Sequence, residues 1–175
     1  MKHIQFLFVL ALALSCAPGA ENEFGEEFDN EVASTRLGEL SLAPYGMDII
    51  LGIPEELMSK VDVRRNENFG RIEVSAGASV SFFVTTDFES LQSLKRDLEA
   101  GIFKIEYVED RPDFILYKAT LPDGSSPYYN FVKTVAYNGE VHVIENNPFM
   151  EFSEDDIRLM AGIAESVHPT VINGD

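Results

Sequence analysis

Cysteine is nearly absent from these 175 residues: there is one, Cys16, and there is no tryptophan at all. A single cysteine closes no disulfide within the chain and builds no cysteine-based zinc site unaided. Histidine is scarce, with three residues, and positive charge is scarce too, since 13 Lys and Arg face 30 Asp and Glu for a net charge of −17. That balance argues against gripping the phosphates of DNA, RNA or anionic lipid through the bulk surface. No apolar run reaches the roughly 20 residues that cross a bilayer as a helix. The chain holds no G-x-G-x-x-G, P-loop, H-E-x-x-H or G-x-S-x-G pattern, so nucleotide binding, a helical zinc site and a serine elbow have no motif behind them.

What is present begins at the amino terminus. Lys2 and His3 form a short basic region, and Ile4 to Leu14 is an apolar stretch interrupted only by Gln5. Its length suits the core of a secretory signal, which would occupy residues 1–15. Leu12-Ala13-Leu14-Ser15-Cys16 resembles a bacterial lipobox, in which a small residue precedes a cysteine that becomes lipidated. Cys16 is therefore the expected lipidation site, and several acyl chains on one residue anchor firmly to a membrane. Residues 16–36 read as an acidic, lipid-proximal linker, with six acids and no base between Glu21 and Glu31. Like-charge repulsion keeps such a segment solvated.

From Leu37 to Asp175 the pattern is that of a single folded domain, and at 45% hydrophobic and 11% aromatic residues the chain can supply its core. Tyr45 to Pro54 reads as a strand, and Val61–Asn66 with Phe69–Ser75 as a hairpin. Ser79–Thr85 is apolar on both faces, as a central strand would be. Thr86-Asp87-Phe88-Glu89 matches a capping box ahead of a helix whose stripe is Phe88, Leu91, Leu94 and Leu98, ended by Gly101. Ile102–Val108 and Phe114–Leu121 follow as strands, and Tyr128–Tyr137 with Glu140–Glu145 flank Asn138-Gly139, a strong hairpin signal. A last helix starts at Ser153, with Glu154, Asp155 and Asp156 complementing the positive end of its dipole. The expected fold class is α+β, an antiparallel β-sheet layered with helices.

The YGMDIILGIPEEL segment, the helix after SVSFFV, the YYNFVKTVAYNGEVHVIE hairpin and the FSEDDIRLMAGIAESV helix come in an order that resembles the Mog1/PsbP-like α/β/α sandwiches, some of them bacterial lipoproteins. The resemblance spans about residues 40–168 and carries no catalytic motif. It implies a binding, assembly or accessory role and transfers no functional residue.

The chemistry that remains is sparse. His142 alternates with Val141 and Val143 on a strand and reads as a hydrogen-bonded or surface residue, while His168 precedes Pro169 at the end of the last helix. Glu109-Asp110-Asp113 reads as turn chemistry and Glu154-Asp155-Asp156 as helix N-terminal charge, with calcium as the sharper alternative for either. Arg64, Arg65 and Arg71 cluster on one hairpin and either pair with nearby acids or form a patch for an acidic partner. The best binding candidates are Tyr128, Tyr129 and Phe131, since alternation sends Tyr128 to one face and Tyr129 with Phe131 to the other. One face would pack on a helix, and the other would line a groove for peptide or glycan.

The expected function is a lipid-anchored, extracytoplasmic accessory or binding protein. It would face the periplasm or cell surface and use neither catalysis, metal nor cofactor. Its partners would be the membrane, through the anchor, and an envelope protein, peptide or glycan, with no nucleic acid. The alternative is a small secreted hydrolase with a Ser/His/Asp-type site, which needs His142 or His168 within about 3 Å of a hydroxyl or carboxylate. A third class, an immunity or inhibitor protein, would use the acidic surface against a basic partner.

Overall fold

A computed structural model describes residues 36–86 and 89–170. The expected signal (1–15), Cys16, the linker up to residue 35, and Asp87 and Phe88 lie outside the described residues. The fold is α+β, with two antiparallel sheets and three helices in the described range.

The smaller sheet is built around β2 (Ile49–Pro54), flanked by β1 (Leu37–Ser41) and by the two-residue β10 (His168–Pro169). The predicted strand from Tyr45 is therefore shorter at its start. Pro44 opens a one-turn 3-10 helix, Ala43–Tyr45, and Gly46 ends it at φ 86°, a backbone shape that glycine adopts without strain. A single helical turn, α1 (Glu55–Met58), follows β2. His168 belongs to β10, not to a helix end as expected, because the last helix has already stopped at Glu165.

The larger sheet has seven strands in the order β3-β4-β5-β9-β8-β7-β6. These are β3 (Val61–Asn66), β4 (Arg71–Ala76), β5 (Val80–Thr85), β6 (Lys104–Arg111), β7 (Phe114–Thr120), β8 (Tyr128–Tyr137) and β9 (Glu140–Asn146). The SVSFFVT run does form an interior strand, with Phe82 and Phe83 buried on its two faces. Asn138 and Gly139 take φ values of 51° and 83°, the pair of positive angles that a tight β8–β9 turn requires. β6 starts at Lys104, two residues later than expected, leaving Ile102 exposed, and it carries a bulge between Tyr107 and Glu109.

Alternation along the strands gives the large sheet two apolar faces. One carries Ile72, Val74, Phe82, Val84, Phe114, Leu116, Phe131 and Ile144, and meets β2 and the buried stripe Ile157, Met160, Ala161, Ile163 and Ala164 of α3 (Glu154–Glu165). The other carries Ile115, Tyr117, Ala119, Val132 and Val143 under Leu91, Leu94 and Leu98 of α2 (Leu91–Ala100). The sheet is thus covered on both sides, by α3 with the small sheet and by α2.

The helix starts differ in their chemistry. At α3 the expected cap is in place: the Ser153 hydroxyl accepts from the Asp156 amide at 3.1 Å while the Asp156 carboxylate accepts from the Ser153 amide at 3.1 Å. At α2 the expected Thr86 box gives way to Ser90, whose extended backbone and hydroxyl, 3.0 Å from the Ser93 amide, make the cap. Gly101 ends α2 in an extended conformation, not in the left-handed form common after helices. Among the described residues no helix is long and apolar enough to cross a membrane.

Candidate functional site

A cavity of about 480 Å³ opens at one end of the large sheet, on the α2 side. Its floor is Ile105 of β6 with Tyr117 and Ala119 of β7, and Tyr128, Tyr129 and Asn130 come in from the start of β8. Asp97, Leu98 and the link residues Gly101 and Phe103 form one wall, and Pro148, Met150, Glu151 and Phe152 of the β9–α3 connection form the other. The volume lies in the range typical of small-molecule pockets, and the lining is mainly apolar and aromatic with a few polar groups, as such sites are.

Local chemistry sets each wall. Asn147 anchors the β9–α3 connection, since its amide donates to the Ser81 carbonyl at 2.9 Å and its side chain bonds the Ser81 hydroxyl at 3.1 Å. The Asn147 side-chain oxygen also accepts from the Phe149 amide at 3.0 Å, turning the chain so that Pro148 and Met150 border the cavity. Beneath β8, Asn146 is buried, accepts from the Phe131 amide at 2.9 Å and donates to Asn130 at 3.1 Å, which fixes the start of that strand.

Three titratable groups around the floor are displaced from their ordinary values. Burial pushes the Tyr117 phenol up to about 12, with Glu145 and Tyr107 adding to the effect, so Tyr117 is neutral across the physiological range. Glu145, next to Phe83 on the adjoining strand, has its carboxyl raised by burial, partly offset by Arg71. Tyr107 is raised by burial and by Glu99.

The residues proposed from sequence separate. Tyr128 is 38% exposed and lines the cavity. Tyr129 lines it too, and its hydroxyl bonds the Glu154 carboxylate on α3. Phe131 is a correction: it is completely buried, stacked on Phe114 at 6.5 Å between centroids, and lines no groove. Alternation places it under α3, so its role is packing.

His142 and His168 line neither this cavity nor a shallower one between α2 and the β6–β7 turn. His142 corrects one of its two expected readings: it is 3% exposed and so not a surface residue, and its Nδ1 has no hydrogen-bond partner among the described residues. The Nδ1 of His168 lies 3.2 Å from the carbonyl of Pro169. Ser125 sits in an Asx turn, its amide donating to Asp123 at 2.9 Å. Neither histidine is paired with a serine or carboxylate side chain among the described residues.

The charge clusters resolve into local pairs. Arg64 meets Asp62 at 2.7 Å, Arg65 meets Glu67 at 3.0 Å and Arg71 meets Glu73 at 2.9 Å. Glu109 pairs with Arg111, Asp110 with Lys95 and Asp113 with Lys133, while Glu154 pairs with Arg158. Among the described residues no group of three or more His, Cys, Asp or Glu is placed to hold a metal ion.

Sequence reading missed Phe103, Met150 and Phe152, which are far apart in the chain and meet only because α2 and the β9–α3 connection converge over β6–β8. The available signal was the Asn146-Asn147-Pro148 turn cluster, which marks a shaped connection ahead of exposed apolar residues. No protein-family model matches the chain, and no curated protein matches it significantly.

Proposed function

We propose that this chain is a lipid-anchored, extracytoplasmic binding or accessory protein that holds a small ligand or partner group in the cavity over β6–β8 without transforming it. The observation that carries this reading is the apolar, aromatic-walled cavity of about 480 Å³, whose lining among the described residues includes no histidine, serine or lysine. The anchor rests on the Ser15-Cys16 pattern after an eleven-residue stretch of signal character, Ile4 to Leu14. The three layers, with helices on both sides of an antiparallel sheet, support assignment to the Mog1/PsbP-like sandwiches at the level of architecture. Each part has its own experiment. Cys16→Ser is expected to move the protein from the membrane to the soluble fraction of cells, and unchanged membrane association would refute the anchor. The uncharged fluorescent probe N-phenyl-1-naphthylamine is expected to bind the wild-type chain and to lose its signal with Ala119→Phe, which fills the floor. A probe that binds both equally would place binding elsewhere.

A further inference from the structure

We infer that the cavity selects ligands with an apolar body and a positively charged head, a specificity that rests on the binding reading above. The apolar body is matched by Ile105, Ala119, Phe103, Met150 and Phe152. What decides the head is the charge of the lining. Asp97 on α2 and Glu151 on the β9–α3 connection are the two formally charged residues that border the cavity, and both are exposed, which puts them on its open side. Among the described residues no Lys, Arg or His lines it. The Tyr117 phenol at the floor, pushed up to about 12 chiefly by burial, offers a neutral group and no counter-charge.

An anionic amphiphile such as a fatty acid would thus bring its carboxylate against two carboxylates with no cation to receive it. It would do so on a chain whose net charge is −17. An ammonium group gains from both carboxylates, and the exposed ring of Tyr128 adds a cation–π face. Lys118 and Arg158, whose charges reach the lining Tyr129, are engaged with Glu106 and Glu154, and Lys95 is engaged with Asp110. The same logic ranks three ligands of equal chain length as cationic, then neutral, then anionic.

The test measures binding of octyltrimethylammonium, 1-octanol and octyl sulfate to the full-length chain by calorimetry, each below the concentration at which it forms micelles. Two carboxylates near a bound charge should favour the cation over the sulfate by roughly tenfold or more. That ratio should shrink in high salt as the charges are screened. Asp97→Asn combined with Glu151→Gln removes both rim charges from exposed positions, and should bring the three affinities together. If octanol binds but the cation is no better than the sulfate, the charge selection is wrong and the cavity reading stands. If none of the three binds the wild-type chain, the cavity reading itself fails and the selectivity falls with it. If the double variant keeps the full preference for the cation, Asp97 and Glu151 are not its source and the inference is overturned.

Discussion

At the scale of single residues, burial separates side chains that look alike in sequence. Phe131 and Tyr128 stand three positions apart on one strand, yet one is sealed beneath α3 and the other borders solvent. Phe131→Ala should cost about 3–5 kcal/mol, the range for removing a fully buried aromatic ring. Urea unfolding measures it, and a loss under 1 kcal/mol would contradict the packing role. Glu145 makes a different demand. Its carboxyl is raised above the ordinary 4.5 by burial, so the folded state holds its proton more tightly than the unfolded chain does. This contribution is fully present below the unfolded value and is lost as pH rises through the folded one. Glu145→Gln should therefore raise the melting temperature at about pH 8 and leave it nearly unchanged at about pH 4, relative to wild type. A thermal shift that is equal at both values would refute the assignment.

Elements were legible in proportion to how local their causes are. The β8–β9 turn needs only Asn138 and Gly139, and α3 needs only Ser153, Asp156 and the apolar stripe behind them. Ser153→Ala removes one half of the reciprocal cap and should cost about 1 kcal/mol. The Asp156 carboxyl is lowered chiefly by the Ser153 hydroxyl bond, so its contribution holds above the ordinary 3.8 and disappears as pH falls below that. The Ser153→Ala deficit in urea unfolding should accordingly be larger at pH 7 than in strong acid, and an equal deficit would contradict the cap. By contrast, β1 and β10 are short and pair only with β2 among the described residues, and β10 comes from the far end of the domain, where the Gly52 amide of β2 also donates to the Ser166 hydroxyl across 114 residues. Nothing in LGELS or in His168-Pro169 announces that pairing. The α2 start was misplaced because Thr86 and Ser90 both lie at cap-like spacing, and only the extended backbone at Ser90 with its bond to Ser93 decides between them. The candidate cavity was half legible: the aromatic start of β8 stood out, but the walls come from two connections that sequence distance hides.

For the whole molecule, the dominant quantity is charge. From Leu37 onward 24 acids face 11 bases, so the excess is not confined to the acidic run between Glu21 and Glu31. The cations are largely spent on neighbours, including Lys118 on Glu106 and Arg111 on Glu165. The acids left over repel one another across the surface, and that repulsion opposes compactness. Raising the salt from low to physiological concentration and beyond should therefore raise the melting temperature, because screening relieves more repulsion than it weakens attraction. A melting temperature that falls with salt would mean that the surface pairs outweigh the excess.

The last strand of the large sheet shows how such a surface governs company as well as stability. Among the described residues β6 is an edge with a neighbour on one side only, and edges of this length invite another strand. Laid antiparallel against itself about its bulge, however, β6 would put Lys104 opposite Arg111 and Glu106 opposite Glu109. Each polar end of the strand is thus a mirror that rejects its own image, and the bulge spoils the straight ladder that would compensate. Copies that meet at this edge at high concentration would be turned away each time. The row of charges that looks like plain solvent dressing therefore acts as the sheet's terminus, permitting high local density without fibre growth.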